Sequence, residues 1–242
     1  PEGYEAGIRE LLAPRGHEIC REGCAAGSVA LTFRAVEGDS IRGVYTVGED
    51  GNGGEAVLTA GHKTFFFRAL MRLVRELENR GVAEDFAWEE PVFLDRNGTM
   101  LDCSRNSVLT VETIKKYIRM QAAVGMNTLM LYTEDTYEVP EYPYFGYMRG
   151  RYTKEELREM TDYAELFGIE MMPNFRQPYF SKSIGEFWRR WHITLGTWMK
   201  DYIFYPFSIS KKMLAFGKKA KKIFGKKTGK ILPICVANLL IF

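Results

Sequence analysis

Residues 28–34, Ser-Val-Ala-Leu-Thr-Phe-Arg, alternate apolar and polar side chains as a half-buried strand does. Two more strands are predicted over residues 41–47 and 55–60, separated by the turn-forming run Gly48-Glu-Asp-Gly-Asn-Gly-Gly54. The period then changes. Phe66, Leu70, Leu73, Val74 and Leu77 fall on one face of a helix, and Gly81 is placed to close it as its C′ residue. This first stretch reads as a small α+β module of strands backed by one helix.

The rhythm shifts again after residue 90. A short apolar run over 99–103 is followed by Thr110, an N-cap for a helix with Val111, Ile114, Ile118 and Val124 inward and Gly125 as its stop. Residues 128–132 form another compact apolar run. Thr153 and Glu156 have the spacing of a capping box, for a helix ending at Gly168, and residues 169–172 begin a third strand. Strands that alternate with helices pair in parallel through right-handed crossovers, as in doubly wound sheets and (β/α) barrels. In barrels the chemistry sits at the C-terminal ends of the strands. Those ends are polar here: Asp102, Ser104, Arg105 and Asn106 after the first strand, and Thr133, Glu134 and Asp135 after the second. Carboxylates accept from sugar hydroxyls and a guanidinium donates in a fixed fork, so this rim suits a hydroxyl-rich ligand. Tyr132, Tyr137, Tyr142, Tyr144, Phe145, Tyr147 and Tyr152 offer faces for a sugar ring.

From about Asn174 the pattern belongs to another environment. Phe187, Trp188, Trp191, Trp198, Tyr202, Phe204 and Tyr205 crowd one segment, interleaved with Arg189 and Arg190. Nine lysines and no acid follow between Lys211 and Lys230, and residues 231–242 are almost wholly apolar. Charge makes the same division. Residues 174–242 carry 14 Lys or Arg against Glu186 and Asp201, a net of +12, whereas residues 1–173 carry 19 basic and 29 acidic residues, a net of −10. The overall balance of +2 hides this asymmetry, which marks parts of one chain suited to different surroundings. The apolar end is twelve residues long, short of the roughly twenty that span a bilayer. Interfacial aromatics, a lysine run and an apolar end favour membrane association of residues 183–242. The helical spacing of the aromatics and the apolar end argue against stacking on nucleic acid.

The remaining composition is that of a globular protein, 46% hydrophobic and 26% charged, which excludes a disordered chain. Cys20, Cys24, Cys103 and Cys235 lack metal-ligand spacing and read as four reduced thiols, as in a cytoplasmic protein. Neither a metal nor a cofactor is implied, His17 and His62 receive no role, and no N-terminal signal is visible.

Three segments carry a resemblance to a known family: Met100-Leu-Asp-Cys-Ser-Arg-Asn106, Gly125-Met-Asn-Thr-Leu-Met-Leu-Tyr-Thr-Glu-Asp135 and Tyr144-Phe-Gly-Tyr-Met-Arg-Gly-Arg-Tyr152. Together they resemble glycoside hydrolase family 20, whose members are mostly β-N-acetylhexosaminidases, over about residues 1–172. The resemblance implies the small α+β module at 1–90 and the first three strands of a (β/α)8 barrel at 91–172. It implies that Arg105 hydrogen-bonds hydroxyls of a terminal N-acetylhexosamine, that Asp102 supports the arginine, and that Glu134 and Asp135 shape the site. It also implies substrate-assisted hydrolysis, in which the substrate's acetamido oxygen attacks the anomeric carbon. An Asp-Glu pair after the fourth strand orients that group and donates the proton. The barrel text ends at the third strand, so that pair is missing and no hydrolysis is expected. A non-catalytic carbohydrate-binding fragment is the alternative.

A second resemblance rests on Asn174-Phe-Arg-Gln-Pro-Tyr-Phe-Ser-Lys-Ser-Ile-Gly-Glu-Phe-Trp-Arg-Arg-Trp-His-Ile-Thr-Leu-Gly-Thr-Trp198 and Asp201-Tyr-Ile-Phe-Tyr-Pro206. This text resembles the membrane-bound O-acyltransferases of the D-alanyl-teichoate and alginate type, over about residues 168–242. His192 matches one of that branch's two active-site histidines, a base for an acceptor hydroxyl. The expected fold class is α/β: an α+β N-terminal module, an incomplete (β/α) barrel, and a mostly helical, membrane-associated fragment at 173–242. The parts meet near 167–174, and the chain reads as two truncated catalysts. Residues 1–172 are expected in the cytoplasm and the remainder at a membrane.

Overall fold

The computed structural model describes residues 3–20, 25–38, 40–105 and 107–239. The chain divides into two compact units, Pro1–Met172 and Pro173–Phe242. The first is mixed α/β and opens with a short helix, α1 (Glu5–Leu12), which buries Ile8, Leu11 and Leu12. Strands β1 (Val29–Ala35), β2 (Ser40–Val47) and β3 (Gly54–Ala60) lead into α2 (Lys63–Arg80), and β4 (Phe86–Pro91) completes a sheet of order β1-β3-β2-β4. β1 and β3 are parallel, while β2 is antiparallel to both β3 and β4. The sequence pattern predicted β1, β2, β3 and α2 but neither α1 nor β4.

Helix α2 is the centre of this packing. His62 is its N-cap: Nδ1 accepts from the Thr64 amide at 3.2 Å, and burial lowers the imidazole's affinity for a proton. Gly81 ends the helix with φ 80°, its N–H bonded to the Leu77 carbonyl. The buried face holds Phe66, Phe67, Ala69, Leu70, Leu73 and Val74, wider than a single stripe because α1 covers its flank. Phe67 presses on α1 so closely that a Cβ at Gly7 would lie 2.6 Å from its ring, so only glycine fits there. Tyr4, Phe33, Phe66, Phe67 and Phe167 form a chain of ring contacts with centroids 4.6–6.0 Å apart.

The second half of this unit is strictly alternating: β5 (Gly98–Asp102), α3 (Val111–Val124), β6 (Thr128–Tyr132), α4 (Lys154–Glu165) and β7 (Glu170–Met171). The three strands are parallel, in the order β5-β6-β7, and Asp102 lies opposite Tyr132, so β5 and β6 end at one level. Thr110 caps α3 through Thr113 N, and Thr153 and Glu156 make the reciprocal capping box of α4. Ile114, Ile118, Gln121 and Ala122 point inward from α3, but Val124 does not. Its side chain is exposed, because at i+10 it sits two positions past the i, i+4, i+7, i+8 set that faces the sheet. Gln121 compensates its burial by donating to Thr99 Oγ1 at 2.6 Å.

Polar contacts at Thr64 and Glu10 help join the small module to these later elements. Thr64 Oγ1, fully buried, lies 2.9 Å from the Phe167 carbonyl and 3.0 Å from that of Gly168, sharing its proton between them. Tyr163 of α4 donates to Glu10 of α1 at 2.5 Å and accepts from Arg119 of α3 at 2.7 Å. Burial and the Glu10 carboxylate push the phenol up to about 12.

The second unit is helical: α5 (Ile184–Arg190), α6 (Ile193–Met199), a π-helical turn (Lys200–Phe204), α7 (Tyr205–Ser208) and α8 (Lys211–Leu239). α8 is broken at Gly225, where φ 78° and ψ 171° leave the helical region. Among the described residues, no helix is long and apolar enough to cross a membrane. The reading of four reduced thiols is corrected: Cys103 and Cys235 are free, but Cys20 is disulfide-bonded. Cys24 lies outside the described residues.

Candidate functional site

Asp102, at the last position of β5, ends the strand by capturing the turn that follows. Its Oδ1 accepts from Ser104 N (2.9 Å), Ser104 Oγ (2.9 Å) and Arg105 N (3.2 Å). The Ser104 amide, with help from the Ser104 hydroxyl, the Arg105 amide and the Arg105 charge, holds the Asp102 carboxyl below the usual carboxylate range. Asp102 Oδ2 lies 3.7 Å from Arg105 Nε. The carboxylate thus fixes the backbone of Arg105 more firmly than its side chain, which is 71% exposed and available to a ligand. Asn106, next in the motif, lies outside the described residues.

The turn after β6 supplies the other half of the rim. Tyr132, the last residue of the strand, donates to Glu134 at 3.0 Å, and the Arg105 guanidinium sits over the Tyr132 ring 5.5 Å from its centre. Asp135 turns elsewhere. Its Oδ1 is buried and lies 3.5 Å from Nη1 of Arg149. Nη2 of the same arginine donates to the Ser104 carbonyl. The four sequence-derived rim residues, Asp102, Arg105, Glu134 and Asp135, therefore come together through two threads. One runs Arg105–Tyr132–Glu134, the other Asp135–Arg149–Ser104. Adjacent in sequence, Glu134 and Asp135 have different partners.

Arg149 was not singled out by sequence reasoning. It lies in the long connection from β6 to α4, just after Met148, whose φ of 59° is a conformation that residues with a Cβ seldom adopt. Nearby backbone fixes this connection. Tyr152 N bonds to the Thr136 carbonyl (3.0 Å), Glu138 N to the Tyr152 carbonyl (2.9 Å), and Arg151 to the Phe145 carbonyl (2.9 Å). Tyr152 itself is buried, donates to the Leu109 carbonyl at 2.6 Å and lies 3.6 Å from Cys103 Sγ, so burial keeps it protonated. It is a strut and not a sugar platform. Tyr142, Tyr144 and Tyr147 are the exposed aromatic faces of the connection. A separate hollow of about 1440 Å³, lined by Ile8, Leu12, Ile19, Leu70 and Leu73 among others, contains none of the rim residues.

In the second unit His192 stands at the N-terminal end of α6 with φ 44°. Its ring packs against Phe175 (4.7 Å between centroids) and Trp191 (5.4 Å). Asn174 organises this corner. Its carbonyl accepts from Ile193 N at 2.9 Å, its Oδ1 accepts from Thr194 N (3.0 Å) and Thr194 Oγ1 (2.9 Å), and its Nδ2 is 3.4 Å from His192 Nδ1. Sequence reasoning assigned His192 but gave Asn174 no role, because an asparagine eighteen residues away has no helical relation to it. Among the described residues, no group of three or more His, Cys, Asp or Glu is arranged to hold a metal.

Residues 96–201 match the family described as glycosyl hydrolase family 20, catalytic domain, and the match runs past Met172 into the second unit. The fold resembles the exo-β-N-acetylglucosaminidase of Vibrio harveyi solved with N-acetylglucosamine, at a TM-score of 0.53 and 20% identity. That likeness covers 73% of this chain and 31% of the solved one. A short stretch is similar to a different class. It is 51% identical over 47 residues to the probable alginate O-acetylase AlgI of Pseudomonas putida, covering 19% of this chain and 10% of the relative. It is also 45% identical over 42 residues to the teichoic acid D-alanyltransferase of Bacillus subtilis, covering 17% of this chain and 11% of that enzyme. The chain thus combines a region like the family 20 hexosaminidases with a segment like the acyltransferases. It spans about a third of the length of the former and a tenth of the latter.

Proposed function

We propose that residues 91–172 are the opening strands of a (β/α) barrel and hold a terminal N-acetylhexosamine without cleaving it. The observation that carries this reading is the Asp102-fixed turn, which presents Arg105 beside Tyr132 and Glu134. Arg105 donates to ring hydroxyls in a fork, and Glu134 accepts from them. Hydrolysis by the family's route needs an Asp to orient the acetamido group and a Glu to protonate the leaving oxygen. No Asp-Glu dipeptide occurs in this sequence, and Glu134-Asp135 has the reverse order with its aspartate committed to Arg149. The test uses the full chain. N-acetylglucosamine is expected to bind by calorimetry, to lose affinity in Arg105→Ala, and a chromogenic N-acetylglucosaminide is expected to stay intact. Absence of binding would end the reading, and clear turnover would overturn its non-catalytic part.

A second role is supported by the Asn174–His192–Thr194 corner. We propose that His192 accepts the proton of an acceptor hydroxyl during acyl transfer to a cell-wall polymer or exopolysaccharide, and that residues 183–242 associate with a membrane. Residues 173–242 hold one histidine, half of the pair that the resemblance implies. Loss of acyl incorporation in His192→Ala, measured with labelled acyl donor in cells making the polymer, is the expected result. Incorporation unchanged by that substitution would remove His192 from the chemistry. The disulfide at Cys20 takes away the thiol argument for a cytoplasmic first unit.

A further inference from the structure

The connection from β6 to α4 holds large aromatic rings on an ordered backbone and leaves them in water. Residues 142–148, Tyr-Pro-Tyr-Phe-Gly-Tyr-Met, include no charged side chain. Tyr144 and Tyr147 are 82% and 68% exposed. The chain beneath them is fixed. Phe145 N bonds to the Tyr142 carbonyl at 2.9 Å and Tyr147 N to that of Tyr144 at 3.1 Å, while Arg151 donates to the carbonyls of Phe145 (2.9 Å) and Pro143 (3.3 Å). Between the two exposed rings, Phe145 turns back onto Tyr137, with 5.1 Å between centroids. Gly146 is buried against the Asp135 carbonyl, so closely that a Cβ there would lie 2.0 Å from the oxygen. The rings of Tyr144 and Tyr147 meet edge to face, 6.1 Å apart at 61°. They form a corner seated on Asp135, the residue that Arg149 ties to the Ser104 carbonyl.

We propose that the Tyr144–Tyr147 corner is a second sugar subsite. It takes the sugar that follows the terminal N-acetylhexosamine, so the first unit recognises the end of an oligosaccharide and not a free monosaccharide. The inference rests on the proposed capture of the terminal sugar at Arg105. An ordered backbone that leaves two large rings in water forgoes the stabilisation their burial would bring, which marks them as a contact surface. The chemistry selects the occupant. Arg149 and Arg151 are committed to Asp135 and to main-chain carbonyls, so the corner offers ring faces and phenolic hydroxyls without a free cation. An anionic polymer would need that cation. A pyranose presents the matching surface, an apolar face of C–H groups edged by hydroxyls. The corner is also continuous with the rim: Glu134 belongs to the terminal sugar, and Asp135, the next residue, seats the two rings.

The experiment is titration calorimetry of the full chain with N-acetylglucosamine and with its disaccharide, N,N′-diacetylchitobiose. The disaccharide is expected to bind roughly tenfold tighter, the return of one ring contact. Tyr144→Ala/Tyr147→Ala should erase that preference. Tyr144→Phe/Tyr147→Phe keeps the rings and should retain most of it, and far-UV circular dichroism checks that both variants fold. Equal affinity of the wild type for the two sugars overturns the subsite, and loss of N-acetylglucosamine binding in Arg105→Ala then leaves the rim reading standing. A preference that survives Tyr144→Ala/Tyr147→Ala also overturns the subsite, because the second sugar then lies elsewhere. Binding of neither sugar overturns the rim and the subsite together. Self-association of the chain that the double alanine substitution abolishes gives the corner to a second copy and overturns the sugar assignment.

Discussion

Thr64→Val is the substitution that tests how the small module is held to the elements around the parallel β5-β6-β7 sheet. Valine keeps the shape of threonine and removes only the hydroxyl, so no cavity complicates the result. In the native chain Thr64 Oγ1 lies 2.9 Å from the Phe167 carbonyl and 3.0 Å from that of Gly168, with Thr64 fully buried. Valine strips the donor from two carbonyls and puts a methyl group against them. An unsatisfied buried acceptor costs about 1–3 kcal/mol. With about 2 kcal/mol as the centre of that range, amides that exchange only through opening of this unit should exchange about 30-fold faster. Hydrogen exchange read by mass spectrometry on peptides from β3 and α2 isolates the first unit, whatever the second does. Thr64→Ser is the control. It keeps the donor and loses one methyl, at a cost of about 1 kcal/mol, so it should fall between wild type and valine. Exchange in Thr64→Val within threefold of wild type would refute the reasoning. So would a serine variant as destabilised as the valine one, since packing and not the hydroxyl would then dominate.

Arg149→Ala should weaken N-acetylglucosamine binding by roughly tenfold, about the contribution of one charge-assisted hydrogen bond. Arg149→Lys should restore it only in part, because a point charge cannot reach Asp135 and the Ser104 carbonyl together. Titration calorimetry checks both, and wild-type affinity in Arg149→Ala would break the link between the two turns. Tyr163 makes an alkaline prediction. Its folded pKa of about 12 lies above its ordinary value near 10, so its contribution is complete below about pH 10 and lost as pH rises towards 12. Urea midpoints should therefore fall further between about pH 9 and about pH 11 for wild type than for Tyr163→Phe. Equal losses would remove Tyr163 from the coupling of Glu10, Arg119 and α4.

Much of the first unit is legible in the sequence because local chemistry and tertiary packing agree. Thr153 and Glu156 announce α4 by their spacing alone, and residues 128–132 are apolar enough to be a strand in any context. α1 is harder to read. Eight residues leave too few periods to separate its Ile8, Leu11 and Leu12 from chance. β4 hides its inward face because Glu90 occupies a partly buried position and is held there by Arg68 and Arg72. At the site, Asp102 and Arg105 follow from their place at a strand end. The separation of Glu134 from Asp135 does not, since two acids side by side look equivalent until the path of the following connection brings Arg149 to one of them. Asn174 is invisible for the same reason: its partners at 192–194 meet it only through a turn that the sequence does not advertise.

The Asp102 turn also sets where the thermodynamic cost of ligand capture falls. Three donors from residues 104 and 105 converge on one carboxylate oxygen, so the backbone at the base of Arg105 is ordered before any ligand arrives. Folding has already removed that backbone entropy, which amounts to about 1–2 kcal/mol for each residue fixed. What remains free is the exposed guanidinium arm, whose rotamers carry about 2 kcal/mol. Capture of a sugar at this rim should therefore show an entropy loss the size of one long side chain and not of a loop. Asp102→Ala would move the turn's share of ordering from folding into binding, making the measured entropy less favourable even where the contacts to the sugar are unchanged.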